Sequence, residues 1–483
     1  MAFSRRATCR LTAEGVTPSS LAAAEKLPAS ATRTKATISC ITSKKLSVLT
    51  RHNSFSAIQS SQWRALDEQS FLPTKRRRDG MPTRIIRSFA DLDAMQGRVG
   101  HVLTLFSGGL DSSYVLKELV QRKLRVTALS VDVGEGCQLQ DLQEITAFFG
   151  VDLKVVDAKE EFAAEAVAPA ICAQARYLGT YPVSSSLSRP ILAKIAVNVA
   201  RELGCDAIIH TANQSQNSLR RLNGAIEQLD FDGCYGTPYE RSVLTRDEKI
   251  EALRVLGLTR FQARGISGDA NLWCREFESG SLDNPEGFWA PPSLFEWTRR
   301  REGDVPSCEL QIEFRKGRPS AVNGRQMELV PLIAHLNDAV GAFQIGRYSG
   351  LEHLAGGEKV LEIREAPAAT VLMDAYRQLE TAVLDAELLR EKVSLEMLWT
   401  REAVEGRWFG PLRLCVDAFI RHASEKVTGT VTYQLRQGAM DICAIKAPHP
   451  LYLTDRDGWE KSLVDDVFQP PNPTNRRHEE ALA

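Results

Sequence analysis

The sequence predicts an α/β protein in which a parallel-sheet domain is followed by an α+β domain. From Thr83 to about Gly257, apolar runs of strand length alternate with stretches whose apolar residues recur at helical spacing. From about Leu258 to Gly438, this alternation gives way to a mixture of short strand and helix patterns. The chain has 483 residues, which is enough for two or three domains of about 150 residues each.

A glycine turn after the first long strand is the most informative stretch. His101–Phe106 is apolar or β-forming at nearly every position, and Ser107-Gly108-Gly109 interrupts it before a helical pattern over YVLKELVQRK. Adjacent glycines let backbone N–H groups approach a ligand, and the helix N-terminus adds unpaired N–H groups and a positive dipole end. With the hydroxyls of Ser107, Ser112 and Ser113, this pattern predicts a polyphosphate site. The alternative is an ordinary strand–helix turn with a Ser/Asp cap.

Further strands and helices alternate after the glycine turn. The predicted strands are Leu124–Val133, Val151–Asp157 and Ala207–His210, and the predicted helices are LQDLQEITAFFG, Phe162–Ala175 and Ile191–Leu203, with a polar loop GTYPVSSSLSRP before the last. Ligands of parallel sheets bind beyond the carboxyl ends of the strands. We therefore expect the glycine turn, Asp132–Gly136, the serine-rich loop and Thr211–Arg221 to line one cleft.

The second domain combines short strands with helices. We expect a long aromatic loop over NLWCREFESGSLDNPEGFWAPPSLFEW, strands at Glu309–Phe314, Arg318–Val322, Glu328–Leu332 and Val427–Leu435, helices at Pro331–Val340 and Val371–Leu388, and a mobile polar tail from about Asp455. The predicted domains are 81–260 for the nucleotide-type sheet domain, 261–440 for the α+β domain and 441–483 for a C-terminal segment.

Composition limits the classes of function. The formal net charge is −1, which gives no overall attraction to nucleic acid. No run approaches the ~18 apolar residues of a membrane helix, so we expect no membrane partner. The ten cysteines contain no C-x-x-C pair and fit reduced thiols of a cytoplasmic protein better than a metal site or a disulfide framework.

Residues 1–80 differ in composition from the rest. They carry fourteen Lys/Arg and five Asp/Glu and are rich in Ser, Thr and Ala. Three interpretations compete: an organellar transit peptide, a disordered basic arm, or a start assigned too early. Adjacent arginine codons before Met81 can form a bacterial ribosome-binding sequence, so we favour a true start at Met81.

The chain resembles one family beyond this local pattern. SGGLDSS matches the SGGxDS signature of the PP-loop ATP pyrophosphatases, a fold similar to the adenine nucleotide alpha hydrolases, and the chain is similar to argininosuccinate synthases from about Val99 to Tyr452. The matching segments are LFSGGLDSSYVL, VDVGEG, YPVSSSLSRP, IIHTANQSQNSLRRLN, SGDANLWCREFE, LNDAVGAFQIGRYSGLE, EAPAATVL and FIRHASEKVTGTVTY.

The resemblance implies an activity, its substrates and an assembly. The family adenylates the ureido oxygen of citrulline with ATP, releases pyrophosphate, and then lets the amine of aspartate displace AMP. ATP with Mg²⁺, a citrulline-like acceptor and an aspartate-like amine are the implied small molecules. A homo-oligomer, in the family usually a tetramer, is the implied assembly.

The resemblance also assigns site residues. Catalytic roles fall to Asp111, Ser112 and Arg221, with Asp111 ordering the loop or the Mg²⁺-linked phosphates. ATP would contact Leu105, Phe106, Ser107, Gly108, Gly109, Leu110, Asp111, Ser112, Ser113, Val131 and Thr211. The substrates would contact Tyr181, Ser186, Asn213, Asn217, Ser218, Arg221, Ser267, Glu276, Glu352 and Arg364.

Four of these positions depart from the family pattern. Ser218 replaces an Asp, Asn213 a Thr, Glu276 a Ser and Arg364 a Tyr, whereas the ATP loop is intact. Three hypotheses remain open: an argininosuccinate synthase with a drifted pocket, a paralogue with the same chemistry on another acceptor and amine, and a non-catalytic ATP-binding homologue. A PP-loop enzyme that modifies tRNA is disfavoured, because catalytic cysteine pairs and a basic face are missing from the sequence.

Overall fold

A six-stranded parallel sheet organises the first part of the described chain, as the alternating pattern predicts. The computed structural model describes residues 84–468, apart from residues 135, 137, 138, 262–264, 302 and 304. The interpretations of residues 1–80 therefore lie outside the described residues. The strands here are β1 (Ile85–Ile86), β2 (His101–Leu105), β3 (Arg125–Asp132), β4 (Asp152–Asp157), β5 (Arg176–Tyr177), β6 (Tyr181–Pro182), β7 (Ala207–Ile209) and β8 (Cys234–Gly236). The sheet has the order β1-β8-β7-β2-β3-β4, and β5 and β6 form a separate hairpin.

The helices between these strands cover the sheet. They are α1 (Phe89–Met95), α2 (Leu110–Gln121), α3 (Leu139–Phe149), α4 (Lys159–Phe162), α5 (Ala168–Cys172), α6 (Ser185–Leu203), α7 (Ser218–Gln228) and α8 (Arg246–Val255), with a π turn at Ala163–Val167 between α4 and α5. Strand β2 lies between β7 and β3. The turn after β2 is therefore at the centre of the sheet's carboxyl edge.

Two antiparallel sheets and five helices form the second part. The strands are β9 (Ser267–Ala270), β10 (Arg275–Glu278), β11 (Cys308–Arg315), β12 (Arg318–Val322), β13 (Arg325–Gln326), β14 (Arg347–His353), β15 (Lys359–Glu365), β16 (Gly429–Arg436) and β17 (Ala439–Lys446). The helices are α9 (Leu329–Gly341), α10 (Pro367–Val383), α11 (Ala386–Val404), α12 (Pro411–Ser424) and α13 (Arg456–Phe468). One sheet has the order β14-β15-β10-β9 and the other β13-β12-β11-β16-β17.

Two segments differ from the predicted structure because proline and serine lie inside helices. Helix α6 begins at Ser185, six residues before the predicted start, and contains Pro190. The predicted strand Glu328–Leu332 is wrong, because α9 begins at Leu329 and has Pro331 in its first turn. Pro331, near the start of α9, removes an N–H group that would have no partner within the helix. Pro190 is instead the sixth residue of α6 and lies inside the helix.

Three predictions in the second part are corrected. The expected aromatic loop contains β10, which pairs with β9 and β15. The helix predicted at Val371–Leu388 is two helices, because Asp385 accepts a hydrogen bond from the N–H of Leu388 (2.9 Å) and starts α11. The tail expected to be mobile from Asp455 contains α13.

A continuous hydrophobic core joins the parallel sheet to the second part. One cluster contains Leu103 and Leu129 of the parallel sheet together with Ile312 and Val431 of the five-stranded sheet. The domain boundary at residue 260 stays a prediction. Within the described residues, none of the helices is both long and apolar enough to cross a bilayer.

Candidate active site

The turn between β2 and α2 leaves a helix N-terminus open to a ligand. Gly108 has a φ of +73°, and a Cβ there would lie 2.8 Å from Cδ2 of Leu142, so only glycine fits. Gly109 directly precedes α2 and has no side chain to cap it. Asp111 and Ser112 are instead in the first turn of the helix. This arrangement differs from a Ser/Asp-capped turn and is the one that phosphate groups favour.

The hydroxyl groups of the loop support its shape. Ser112 Oγ donates a hydrogen bond to the carbonyl of Gly109 (3.0 Å) and lies 3.4 Å from Ser107 Oγ. Ser113 Oγ is buried and has no hydrogen-bond partner among the described residues. Phe106 and Leu110 are also buried, so these two could contact a ligand only through their backbone.

The residues expected near adenosine lie at the same edge of the sheet. Val131 is near the carboxyl end of β3, and Thr211 follows β7 by two residues. Because β3 and β7 flank β2, the fold brings both residues to the edge that carries the glycine turn. Gly134, which follows β3 by two residues, lies at the same edge.

Asp111 faces helix α8. Its Oδ1 lies 2.5 Å from Nζ of Lys249, and its backbone carbonyl accepts a hydrogen bond from the hydroxyl of Tyr239 (3.2 Å). The sequence did not identify Lys249, because the two charges are 138 residues apart and no local pattern joins them.

A buried cluster of charges contains the residues assigned to the acceptor. Glu352 Oε1 accepts hydrogen bonds from Nη2 of Arg221 (2.6 Å) and Nδ2 of Asn217 (2.9 Å). Glu352 Oε2 accepts one from Nη2 of Arg364 (2.9 Å), and Arg364 Nε donates to Glu276 Oε1 (3.1 Å). The fold thus joins Glu352, Glu276 and both arginines in one network.

Tyr181 and Glu362 complete this cluster. The guanidinium carbon of Arg364 lies 4.0 Å from the centre of the Tyr181 ring, a cation–π contact. Arg364 also forms an ion pair with Glu362. The sequence did not identify Glu362, although it lies two residues from Arg364 on β15.

The cluster shifts the pKa values of its carboxyl groups in opposite directions. Burial disfavours the charged form of Glu352, but Arg221 and Arg364 outweigh burial and lower its pKa to about 2. Burial raises the pKa of Glu362 well above its ordinary value, and Arg364 only partly opposes this effect. Burial also raises the pKa of the neighbouring Glu278. The two arginines therefore favour ionisation of Glu352, whereas burial opposes ionisation of Glu362 and Glu278.

Three of the remaining predicted residues lie in separate segments of the chain. Ser186 is buried in the first turn of α6, but its neighbour Ser185 is the one that accepts a hydrogen bond from Arg221 Nη1 (2.8 Å). Asn213 Oδ1 accepts hydrogen bonds from the N–H and hydroxyl of Ser215 and so stabilises its own loop. Ser267 is exposed at the start of β9, opposite Glu278.

Two family models match the chain over these elements. The model described as the arginosuccinate synthase N-terminal HUP domain matches residues 101–258, and the one described as the arginosuccinate synthase C-terminal domain matches residues 266–467. The chain belongs to the argininosuccinate synthase family.

Curated relatives agree with this assignment. The argininosuccinate synthase of Rubrobacter xylanophilus is 36% identical over 370 residues, which cover 76% of this chain and 90% of the relative. That of Methanocaldococcus jannaschii is 34% identical over 365 residues, which cover 74% and 92%. A solved NH3-dependent NAD synthetase from Campylobacter jejuni is 19% identical, with a TM-score of 0.25, and covers 35% of this chain and 70% of that one.

Two departures from the argininosuccinate synthase pattern face each other in the structure. Glu276 on β10 and Arg364 on β15 are directly opposite in register, and their side chains form an ion pair (3.1 Å). An ion pair therefore occupies the two positions at which the resemblance predicts a Ser and a Tyr.

Ser218, another predicted departure from the family pattern, is connected to a nearby carboxylate. Arg189 Nε donates to Ser218 Oγ (3.0 Å), and Arg189 Nη2 donates to Asp269 Oδ2 (2.6 Å). The position of the family's Asp is therefore connected through an arginine to Asp269. Neither Arg189 nor Asp269 was identified from the sequence, because the two contacts depend on how α6 packs against α7 and β9.

Proposed function

We propose that this chain is an ATP-dependent carbon–nitrogen ligase of the argininosuccinate synthase type, which joins citrulline to aspartate and forms AMP and pyrophosphate. The observation that carries the proposal is the uncapped N-terminus of α2 behind Gly108. Its free N–H groups and dipole are suited to the charge of a triphosphate. Family membership over most of the chain supports the same activity.

The first step transfers adenylate to the acceptor. The ureido oxygen attacks the α-phosphorus of ATP, the bond to the β-phosphate oxygen breaks, and pyrophosphate leaves with the bonding electrons. The protein contributes alignment and charge stabilisation rather than a nucleophile. Arg221, Asn217 and Glu352 would orient the acceptor at the cluster described above.

The second step forms the new carbon–nitrogen bond. The aspartate amine attacks the former ureido carbon, the carbon–oxygen bond to AMP breaks, and the nitrogen loses a proton. Adenylation makes this substitution feasible because AMP is a far better leaving group than the oxygen of a urea. Arg189, which donates to Ser218, and its ion-pair partner Asp269 would orient the amine substrate.

Mg²⁺ would enter with the nucleotide. Among the described residues, no group of three or more His, Cys, Asp or Glu side chains could hold a metal ion. Asp111, whose side chain is 40% exposed at the loop, is the carboxylate suited to the Mg²⁺-linked phosphates. When bound, Mg²⁺ neutralises phosphate charge.

The cellular location and the oligomeric state of the protein are also part of this proposal. We infer a cytoplasmic homo-oligomer, with a tetramer as the form expected from the family resemblance, and small molecules as its substrates. The seven cysteines in the described ranges are free thiols, which supports a reducing compartment. Light scattering on the purified chain measures the assembly directly.

Isotope transfer tests the chemistry. With citrulline labelled by ¹⁸O in the ureido group, ATP and aspartate, the label is expected in AMP, and argininosuccinate should accumulate. Citrulline alone should support exchange of labelled pyrophosphate into ATP. Formation of ADP and phosphate, or AMP without label, would contradict the proposed reaction.

A second candidate, the same chemistry on a different acceptor, is favoured by Arg364. Its guanidinium already bonds Glu352, and its Nη1 is buried with no hydrogen-bond partner among the described residues. An acceptor with an additional carboxylate would satisfy this donor. Pyrophosphate exchange with a panel of ureido, guanidino and carboxylate compounds distinguishes the two, since this candidate requires exchange with another compound and none with citrulline.

A further inference from the structure

The triphosphate site has no cation in its own loop. Residues Leu105–Ser113 contain neither lysine nor arginine, whereas loops of the Walker type carry a lysine that reaches the phosphates. Helix N–H groups supply only a partial positive charge, about half an elementary charge. A nucleotide with several negative charges would therefore benefit from a cation that another element supplies.

Lys249 brings such a cation to the loop. It lies on α8, and its Nζ is 2.5 Å from Oδ1 of Asp111 in the first turn of α2. Its side chain is only 12% exposed, and its ammonium lies 5.1 Å from the centre of the Tyr239 ring. The hydroxyl of Tyr239 in turn donates to the carbonyl of Asp111 (3.2 Å). Asp111 and Tyr239, which precedes α8, thus hold the lysine at the start of α2.

The carboxylate of this ion pair is accessible to solvent. Asp111 is 40% exposed although Lys249 is largely covered. An exposed carboxylate contributes little through such a pair, typically below about 1 kcal/mol, so a competing anion can replace it at low cost. The first-turn N–H groups of α2, where phosphates would bind, are on the same helical turn as Asp111.

We propose that Lys249 is a polyphosphate-binding residue of this site, held ready by Asp111. When a triphosphate binds at the N-terminus of α2, the ammonium of Lys249 pairs with phosphate oxygens and Asp111 becomes available to the Mg²⁺-linked phosphates. This inference rests on the proposed function, because it requires ATP at the loop. It adds a residue from α8 that the motif itself does not contain.

Binding measurements on the full chain test the inference. Calorimetric titrations with Mg·ATP, pyrophosphate and AMP compare the wild type with Lys249→Met and Lys249→Arg. Lys249→Met is expected to weaken ATP and pyrophosphate binding about tenfold, while AMP binding changes less than about twofold. Lys249→Arg keeps the charge and should recover most of the ATP affinity. The ATP affinity of the wild type should also fall more steeply with salt than that of Lys249→Met.

Lys117→Met is the matched control. Lys117 is equally covered, at 12% exposure, and pairs with Glu118 over the Tyr114 ring, but it lies on α2 beyond the first turn. Its loss should leave nucleotide binding unchanged. Equal weakening of ATP and AMP by Lys249→Met, or none, overturns the inference and leaves the ligase proposal standing. Failure of the wild type to bind ATP would overturn both.

Discussion

At the scale of single residues, the candidate site depends on contacts between residues. The sequence identified some of these residues individually but did not predict which of them are in contact. Glu276 and Arg364, which are 88 residues apart, were identified from their departure from the family pattern. Their contact, however, follows from the register of β10 and β15. Lys249 had no local signal at all. Motif spacing predicts a loop, whereas the partners of its side chains depend on how distant elements pack.

The Glu276–Arg364 pair should be strongly coupled in stability. Arg364→Met leaves Glu276 and Glu352 without this cation in a buried site, so we expect a loss of about 3–5 kcal/mol in the free energy of unfolding. Glu276→Gln combined with Arg364→Met should cost at least about 1 kcal/mol less than the sum of the single changes. Urea unfolding measures all three variants. Additive losses would show that the two side chains do not interact in the native protein.

His210 should make the protein sensitive to acid. It is buried beside the candidate site, and burial lowers its pKa from 6.5 to about 4. The unfolded chain binds this proton below pH 6.5 but the folded chain does not, so stability present above pH 6.5 falls as the pH drops towards 4, by about 1.4 kcal/mol per pH unit at most. Urea unfolding between pH 4 and 8 should show a shallower loss for His210→Gln. Parallel curves for both proteins would contradict this assignment.

At the scale of elements, local patterns predicted the central strands and α2 well and failed where polar residues are buried. Helix α6 starts in a run of serines that resembles a loop, because Ser186 and Ser188 are buried at the site rather than solvated. Helices α10 and α11 likewise bury a polar network with the end of α5. Lys392 Nζ lies 2.7 Å from Glu380 Oε2 and donates to the carbonyl of Cys172 (2.7 Å). No periodicity in the sequence indicates such a network.

Glu380 should give this helical layer the opposite dependence on pH. Burial raises its pKa from 4.5 to about 7, against the effects of Lys392 and Arg377. A carboxyl group with a raised pKa contributes stability below pH 4.5 and loses that contribution as the pH rises through 7. As the pH rises from 4.5 to 7, the stability of Glu380→Gln should increase relative to that of the wild type. Glu387→Gln, which changes an exposed carboxylate on α11, is the control and should follow the wild type in thermal unfolding.

At the scale of the whole molecule, the sequence predicted two domains, and the structure adds the core that joins them. Leu103 of β2 and Ile312 of β11 belong to one buried cluster. The change of pattern near residue 258 marks the end of the parallel sheet, but a pattern along the chain carries no information about which apolar faces meet. The order of strands and helices along the chain was predictable because it depends on local patterns. The shared core was not predictable, because its contacts are long-range.

The continuous core predicts a single unfolding transition. Six of the seven tryptophans lie after residue 271, so tryptophan fluorescence reports mainly on the second part, whereas far-ultraviolet circular dichroism reports on both. Because the two parts share buried surface, both signals should change at the same urea concentration. Separate midpoints would show that the two predicted domains unfold independently.

The close approach of Gly134 to Leu272 has a consequence for the transfer between substrates. Gly134 has a φ of +94°, and a Cβ there would lie 2.6 Å from Cβ of Leu272, whose N–H donates to the carbonyl of Val133 (2.9 Å). This contact fixes the end of β3, at the proposed nucleotide site, against the segment that leads into Glu276 on β10. Gly134→Ala should push the two apart.

Steady-state kinetics of Gly134→Ala would reveal that separation. Each substrate would still find its own contacts, so the KM values should change little. The reacting oxygen and phosphorus would no longer meet at attack distance, and kcat should fall about 100-fold. Gly134, which is not among the residues assigned to either substrate, would then set the effective concentration of one substrate as seen by the other.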